Sequence, residues 1–139
     1  MHKHILIATD GSKLAQRGVD TGLELAKVLG AQVTAVTVSE PITHMVPDVS
    51  LVALDDEDDG ATEVLADVSA AASRLSVPCD IVHVRNQFPA EAILREAKAK
   101  NCDLIVMTSH GRRALGRFLL GGEAVRVITE SAIPVLVCK

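Results

Sequence analysis

The sequence has neither tryptophan nor tyrosine, and its only aromatic carbocycles are Phe88 and Phe118. Single-stranded nucleic-acid binders stack bases on such rings, so that class is excluded on composition. The formal charge of -4 agrees, because phosphate backbones are held by an excess of Lys and Arg. Cysteine is equally scarce. Cys79, Cys102 and Cys138 are too far apart for a zinc knuckle and too few for a disulfide framework, so buried, reduced thiols are expected. No run of about 18 apolar residues occurs, and the apolar start of the chain breaks at Asp10, too early for a secretory core. The reading is a cytoplasmic protein with no membrane and no nucleic-acid partner.

What is present is a filled interior. Nearly half of the 139 residues are hydrophobic, and a chain of this length fits one domain, residues 1–139. His4 to Thr9 is a β-branched, apolar run ended by Asp10-Gly11-Ser12, which predicts a buried strand and a turn that caps a helix. From Lys13 to Leu29 the apolar and small residues share one helical face, with Gly30 placed as a terminator. Gly18 and Gly22, four apart, would let that helix lie close on a sheet. Strands are predicted at Val33 to Ser39, Cys79 to Val84, Asp103 to Thr108 and Pro134 to Cys138. Helices are predicted at Gly60 to Leu75, Pro89 to Lys100 and Ala124 to Ser131. Strands apolar on both faces that alternate with helices imply a doubly wound α/β fold: five parallel strands with helices on both faces.

Glu40 to Asp59 breaks this pattern. It holds an apolar stretch, Val49 to Leu54, expected to fold over a site or onto a partner, and the acids Asp55 to Asp59, read as charge at a helix N-terminus and not as a metal site.

In such sheets ligands bind beyond the carboxyl ends of the strands, where the strand order reverses. Thr9-Asp10-Gly11, Val38-Ser39-Glu40 and Thr108-Ser109-His110-Gly111 end there. The last opens a glycine-bearing loop into a helix, and free N–H groups at a helix start can hold an anion. Gly111, Gly116, Gly121 and Gly122 match neither GxGxxG nor GxxxxGK[ST], so on spacing alone a phosphate site and a plain connector both stay open. Asp10 reads as a helix cap or a ribose contact in preference to a catalytic base. No lysine holds a P-loop position and His110 has no activating partner, so no catalytic residue is assigned.

Met107-Thr108-Ser109-His110-Gly111, the nine residues Arg112 to Leu120, then Gly121 and a closing Ile133-Pro134-Val135-Leu136-Val137 resemble the universal stress protein pattern. That pattern is GxxG, nine residues, Gly with Ser or Thr, a helix and PVLVV. HILIATDGS, VTVSEP and FPAEAI are similar too, so the resemblance runs from His4 to Lys139. It implies a strand order of 3-2-1-4-5 and a site for ATP, ADP or AMP, with magnesium if phosphates are engaged. Ala8, Thr9 and Asp10 would lie near ribose and adenine, and the Val38 backbone against the base. Met107, Thr108, Ser109 and His110 would line the nucleotide, while Gly111, Arg112, Gly121, Gly122, Glu123 and Ala124 would surround the phosphates; Arg113 and Arg117 could pair with them or stay solvated.

Two positions depart from the pattern: Thr108 stands at the first glycine and Gly122 at the hydroxyl residue. The lost hydroxyl would cost about 1.5–3 kcal/mol, roughly tenfold to hundredfold in affinity. Glu123 would add repulsion near the phosphates. The alternative is a dimeric interaction module of the same family without nucleotide binding. That order puts Pro134 to Cys138 at a sheet edge with no charge to guard it, which predicts a homodimer through this strand.

Overall fold

The structure, a computed structural model, describes residues 2–40, 60–110 and 121–139. The stretch Val49 to Leu54, the acids Asp55 to Asp59, and Gly111, Arg112, Arg113, Gly116 and Arg117 lie outside them. In chain order the elements are β1 (His4–Ala8), α1 (Lys13–Leu29), β2 (Gln32–Ser39), α2 (Ala61–Arg74), β3 (Cys79–Arg85), α3 (Pro89–Ala99), β4 (Leu104–Thr108), α4 (Gly122–Glu130) and β5 (Val135–Cys138). They form one five-stranded sheet of order β3-β2-β1-β4-β5, all parallel.

Alternation along the strands divides the core in two, since successive side chains point to opposite faces. Ile5, Ile7, Val33, Ala35, Leu104 and Val106 meet Val19 and Leu23 of α1 and Leu65 and Val68 of α2. Leu6, Val36, Ile105 and Met107 meet Ile93 of α3 and Val127 of α4. Both faces of the central strands are therefore covered, as a parallel sheet requires. At the amino ends, Asp103 ties β1 to β4: its carboxylate accepts the N–H of Lys3 (2.8 Å) and of His4 (3.3 Å). Desolvation pushes the Asp103 pKa up, but these two N–H groups and the nearby His2 outweigh it, and the carboxyl titrates below its usual range.

Three expectations need correction. Burial on both faces holds for the inner strands but not for the edges: in β3 only Val84 is buried, and in β5 no residue is. An edge strand has a neighbour on one side only, so its cover is thinner. Of the free cysteines, only Cys102 is buried; Cys79 and Cys138 sit on the two edge strands and are half-buried. The last helix begins at Gly122, two residues early, because Gly121 already has the extended backbone of an N-cap.

Candidate functional site

β1 leads to β2 on one side, while its other neighbour β4 leads to β5 on the far side, so the strand order reverses between β1 and β4. The turn after β1 forms one wall of that crevice. Thr9 N–H donates to Val36 O (3.0 Å), Thr9 Oγ1 accepts from Gly11 N–H (3.2 Å), and Thr9 O accepts the Thr37 hydroxyl (2.8 Å). Asp10 Oδ1 accepts from Ser12 N–H (2.9 Å), closing an Asx-type turn. Gly11 takes a φ of 80°, a left-handed conformation that suits glycine. The cap of α1 is Ser12, whose Oγ accepts from Ala15 N–H (3.1 Å). Asp10 thus holds the turn that presents the cap, and the buried Thr9 spends its hydroxyl on the same turn.

The opposite wall is the end of β4. Thr108 Oγ1 donates to His110 O (3.0 Å), and its methyl lies where a Cβ on Gly18 would come within 3.2 Å. The departure at Thr108 is therefore matched by a small residue on α1. Ser109 N–H donates to Cys138 O (3.0 Å), and Ser109 Oγ and His110 Nδ1 are 3.1 Å apart. Ser109 O accepts from Gly121 N–H (2.8 Å), which brings the start of α4 back to the strand. A Cβ on Gly121 would stand 3.1 Å from that carbonyl, a tight approach that the backbone could accept only by giving a few tenths of an ångström. At Gly122 a Cβ would meet nothing of the described residues within 4 Å.

Helix starts at this end of the sheet are satisfied differently. Ser12 caps α1. On α3, Ala90 N–H donates to Glu123 Oε2 at 2.6 Å, a carboxylate reaching across from α4. Among the described residues no side chain caps the start of α4 at Gly121, and the N–H groups and dipole of a helix start favour an anion. The carboxylate of Glu123, expected near the phosphates, is engaged by the start of α3. Met107 and Ala124 are brought to the site by their backbones, since both side chains lie in the core. Ala8, Val38 and His110 are half-buried at the strand ends.

Gln87 was missed in the sequence. It follows β3, its N–H donates to Ser39 O (3.4 Å), and its Oε1 is buried with no hydrogen-bond partner among the described residues. No motif marks it; only the adjacency of β2 and β3 brings it to the site. At the opposite, amino end of the sheet, burial pushes the Cys102 thiol up to about 11, with Asp103 adding to the rise, so it stays protonated at neutral pH. Among the described residues, no group of three His, Cys, Asp or Glu side chains could hold a metal ion, and no helix is long and apolar enough to cross a membrane.

Comparison with known proteins agrees with this architecture. The family model described as the universal stress protein family matches residues 1–139. A universal stress protein of Thermus aquaticus is 33% identical, with all of both chains covered. One from Methanocaldococcus jannaschii is 32% identical over all of this chain and 83% of its own. Among solved structures, the UspA protein of Lactobacillus plantarum superposes with a TM-score of 0.86 at 22% identity, covering 99% of this chain and 97% of its own. A universal stress protein in complex with cAMP gives 0.76 at 21%, covering 99% and 97%. One from Archaeoglobus fulgidus in complex with dAMP gives 0.71 at 21%, covering 99% and 98%. With a whole-chain family match, two relatives above 30% identity and the expected sheet order, the chain belongs to the universal stress protein family.

Proposed function

We propose that this chain is a stress-response regulatory protein, one domain over residues 1–139, that binds ATP, ADP or AMP at the carboxyl ends of its strands and performs no chemistry of its own. The observation that carries the reading is the start of α4: among the described residues no side chain caps it, it is tied to Ser109 at the β1/β4 reversal, and Gly121 and Gly122 bring no side chain of their own there. Such a terminus favours an anion. The base and ribose would then lie toward Asp10 and Val38, with Gly111 and Arg112 adding to the phosphate end. The cAMP and dAMP bound by two structural neighbours support an adenine ligand. Magnesium would arrive on the nucleotide's own phosphates. The three free thiols suit a reducing cytoplasm, and a homodimer through β5 belongs to the same reading.

The purified protein provides a direct check. Without Trp or Tyr it absorbs little at 280 nm, so co-purified adenine stands out near 260 nm. Calorimetric titration of nucleotide-free protein should release heat with ATP or AMP; none at millimolar ligand would overturn the proposal. One observation favours a second reading, an interaction module without nucleotide: Gly122 offers no hydroxyl to the outer phosphates. Among the described residues nothing stands within 4 Å of a Cβ at Gly122, so Gly122→Ser meets no clash with them, and it should raise ATP affinity by about tenfold to hundredfold. In the second reading ATP binding would appear only in this variant.

A further inference from the structure

We propose that Ser39 is a site of covalent acylation, with His83 as its built-in base, and that it takes an acyl group from an activated carboxylic ester. Ser39 ends β2, and its Oγ lies 2.7 Å from Nε2 of His83 on β3. With the imidazole proton on Nδ1, Nε2 accepts the hydroxyl proton, the contact by which a weak nucleophile is activated. Strand register sets this up, because Thr37 pairs with His83 and Ser39 with Arg85. Side chains alternate between the faces of a strand. Val33 and Ala35 of β2 and Cys79 of β3 meet the α1 and α2 layer, so Ser39 and His83, in step with them, turn to that same face. The proposal is independent of the nucleotide reading.

Two other hydroxyl–imidazole contacts show what is particular about this one. Thr34 Oγ1 lies 2.7 Å from His4 Nε2, and Ser109 Oγ lies 3.1 Å from His110 Nδ1, but Thr34 and Ser109 are buried, whereas Ser39 and His83 are half-buried and within reach of a small reagent. Thr37, two residues before Ser39 on the same face, donates its hydroxyl to Thr9 O (2.8 Å) and does not compete for the imidazole. α2 packs on this face, and because it hands the chain to the amino end of β3, its first turn lies toward the carboxyl ends of the strands, as the pair does. Among the described residues no side chain caps that turn at Gly60, and N–H groups at a helix start can stabilise the oxyanion that forms on an attacked carbonyl. In the step itself the bond from Ser39 Oγ to the carbonyl carbon forms as the hydroxyl proton passes to His83 Nε2. The bond from that carbon to the donor's leaving oxygen then breaks, and the leaving oxygen takes the proton from the imidazole. One donor is consumed per chain, so the step modifies the protein and is not a turnover.

Incubation with p-nitrophenyl acetate followed by peptide mass mapping tests this. The unmodified protein should carry an acetyl group on Ser39, with Ser12 and Ser131, whose hydroxyls are engaged by backbone groups, left unlabelled. Ser39→Ala should lose the label. His83→Gln keeps a hydrogen-bonding partner for Ser39 but no base, and it should slow labelling of Ser39 by about a hundredfold or more, with a urea midpoint near that of the unmodified protein. Labelling of Ser39 no faster than that of Ser12 or Ser131 in the unmodified protein needs no variant and would overturn the proposal. So would a His83→Gln variant acetylated at Ser39 as fast as the unmodified protein.

Discussion

Gly22 and Gly18 act by being small, and they differ in degree. A Cβ on Gly22 would fall 2.5 Å from Ile7 Cδ1 and 2.7 Å from Ile7 Cγ1, and Ile7 is fully buried with nowhere to go. A Cβ on Gly18 would stand 3.2 Å from the Thr108 methyl, a gap closed by a small shift. Alanine gains about 1 kcal/mol over glycine in a helix interior, whereas overpacking a core costs about 1–3 kcal/mol. Gly22→Ala should therefore lower stability by up to about 2 kcal/mol net, and Gly18→Ala should be near neutral. Urea unfolding of the two variants checks this; equal midpoints would mean that α1 can lift off the sheet at little cost. The helical spacing of these glycines was legible in the sequence, but their ranking depends on which side chain of the sheet lies beneath each.

At the level of elements, the N-termini of α3 and α4 are coupled through Glu123. Its carboxylate takes the Ala90 N–H of α3 at 2.6 Å, and Arg126, one turn further along α4, lies 3.7 Å from Glu91 of α3. The second contact is an exposed ion pair and contributes little. The first is a charge-assisted cap, and losing a cap of this kind costs about 0.5–2 kcal/mol. Glu123→Ala should accordingly lower the urea midpoint, with a smaller loss in Glu123→Gln, which keeps an acceptor oxygen. ATP affinity in Glu123→Gln should change little, because the carboxylate is directed at α3. Stronger ATP binding with unchanged stability would show that its charge acts on the phosphates after all.

For the whole molecule, the two sheet edges are unequal. β3 exposes Asp80 and Arg85, charges that discourage pairing with another chain, whereas β5 is Val135-Leu136-Val137-Cys138. The carbonyls of Pro134 and Cys138 accept from Ile105 and Ser109. Since N–H and C=O of one residue point to the same side of a strand, Val135 and Val137 present theirs to the open edge. Exposed Leu136, Val125 and Ile128 add apolar surface on β5 and α4. Val135→Pro should leave the bond to β4 intact and remove one outward donor, and Leu136→Lys should place a charge in the contact. Both should shift the proposed dimer toward monomer or aggregate in sedimentation equilibrium; an unmodified protein that is monomeric at tens of micromolar would refute this assembly.

The amino-acid sequence by itself determined the succession of strands and helices, the parallel α/β class and the crevice at the strand ends, because periodicity, caps and turn residues act over a few neighbouring positions. Pattern left the strand order open, and it became legible only through resemblance to a family. Tertiary structure alone decided that Glu123 serves a backbone group 33 residues away, that Thr108 rests on Gly18, and that Gln87 stands beside β2. Each of these depends on which ends of the chain the sheet brings side by side, and a contact between distant residues leaves no period or motif in a single sequence.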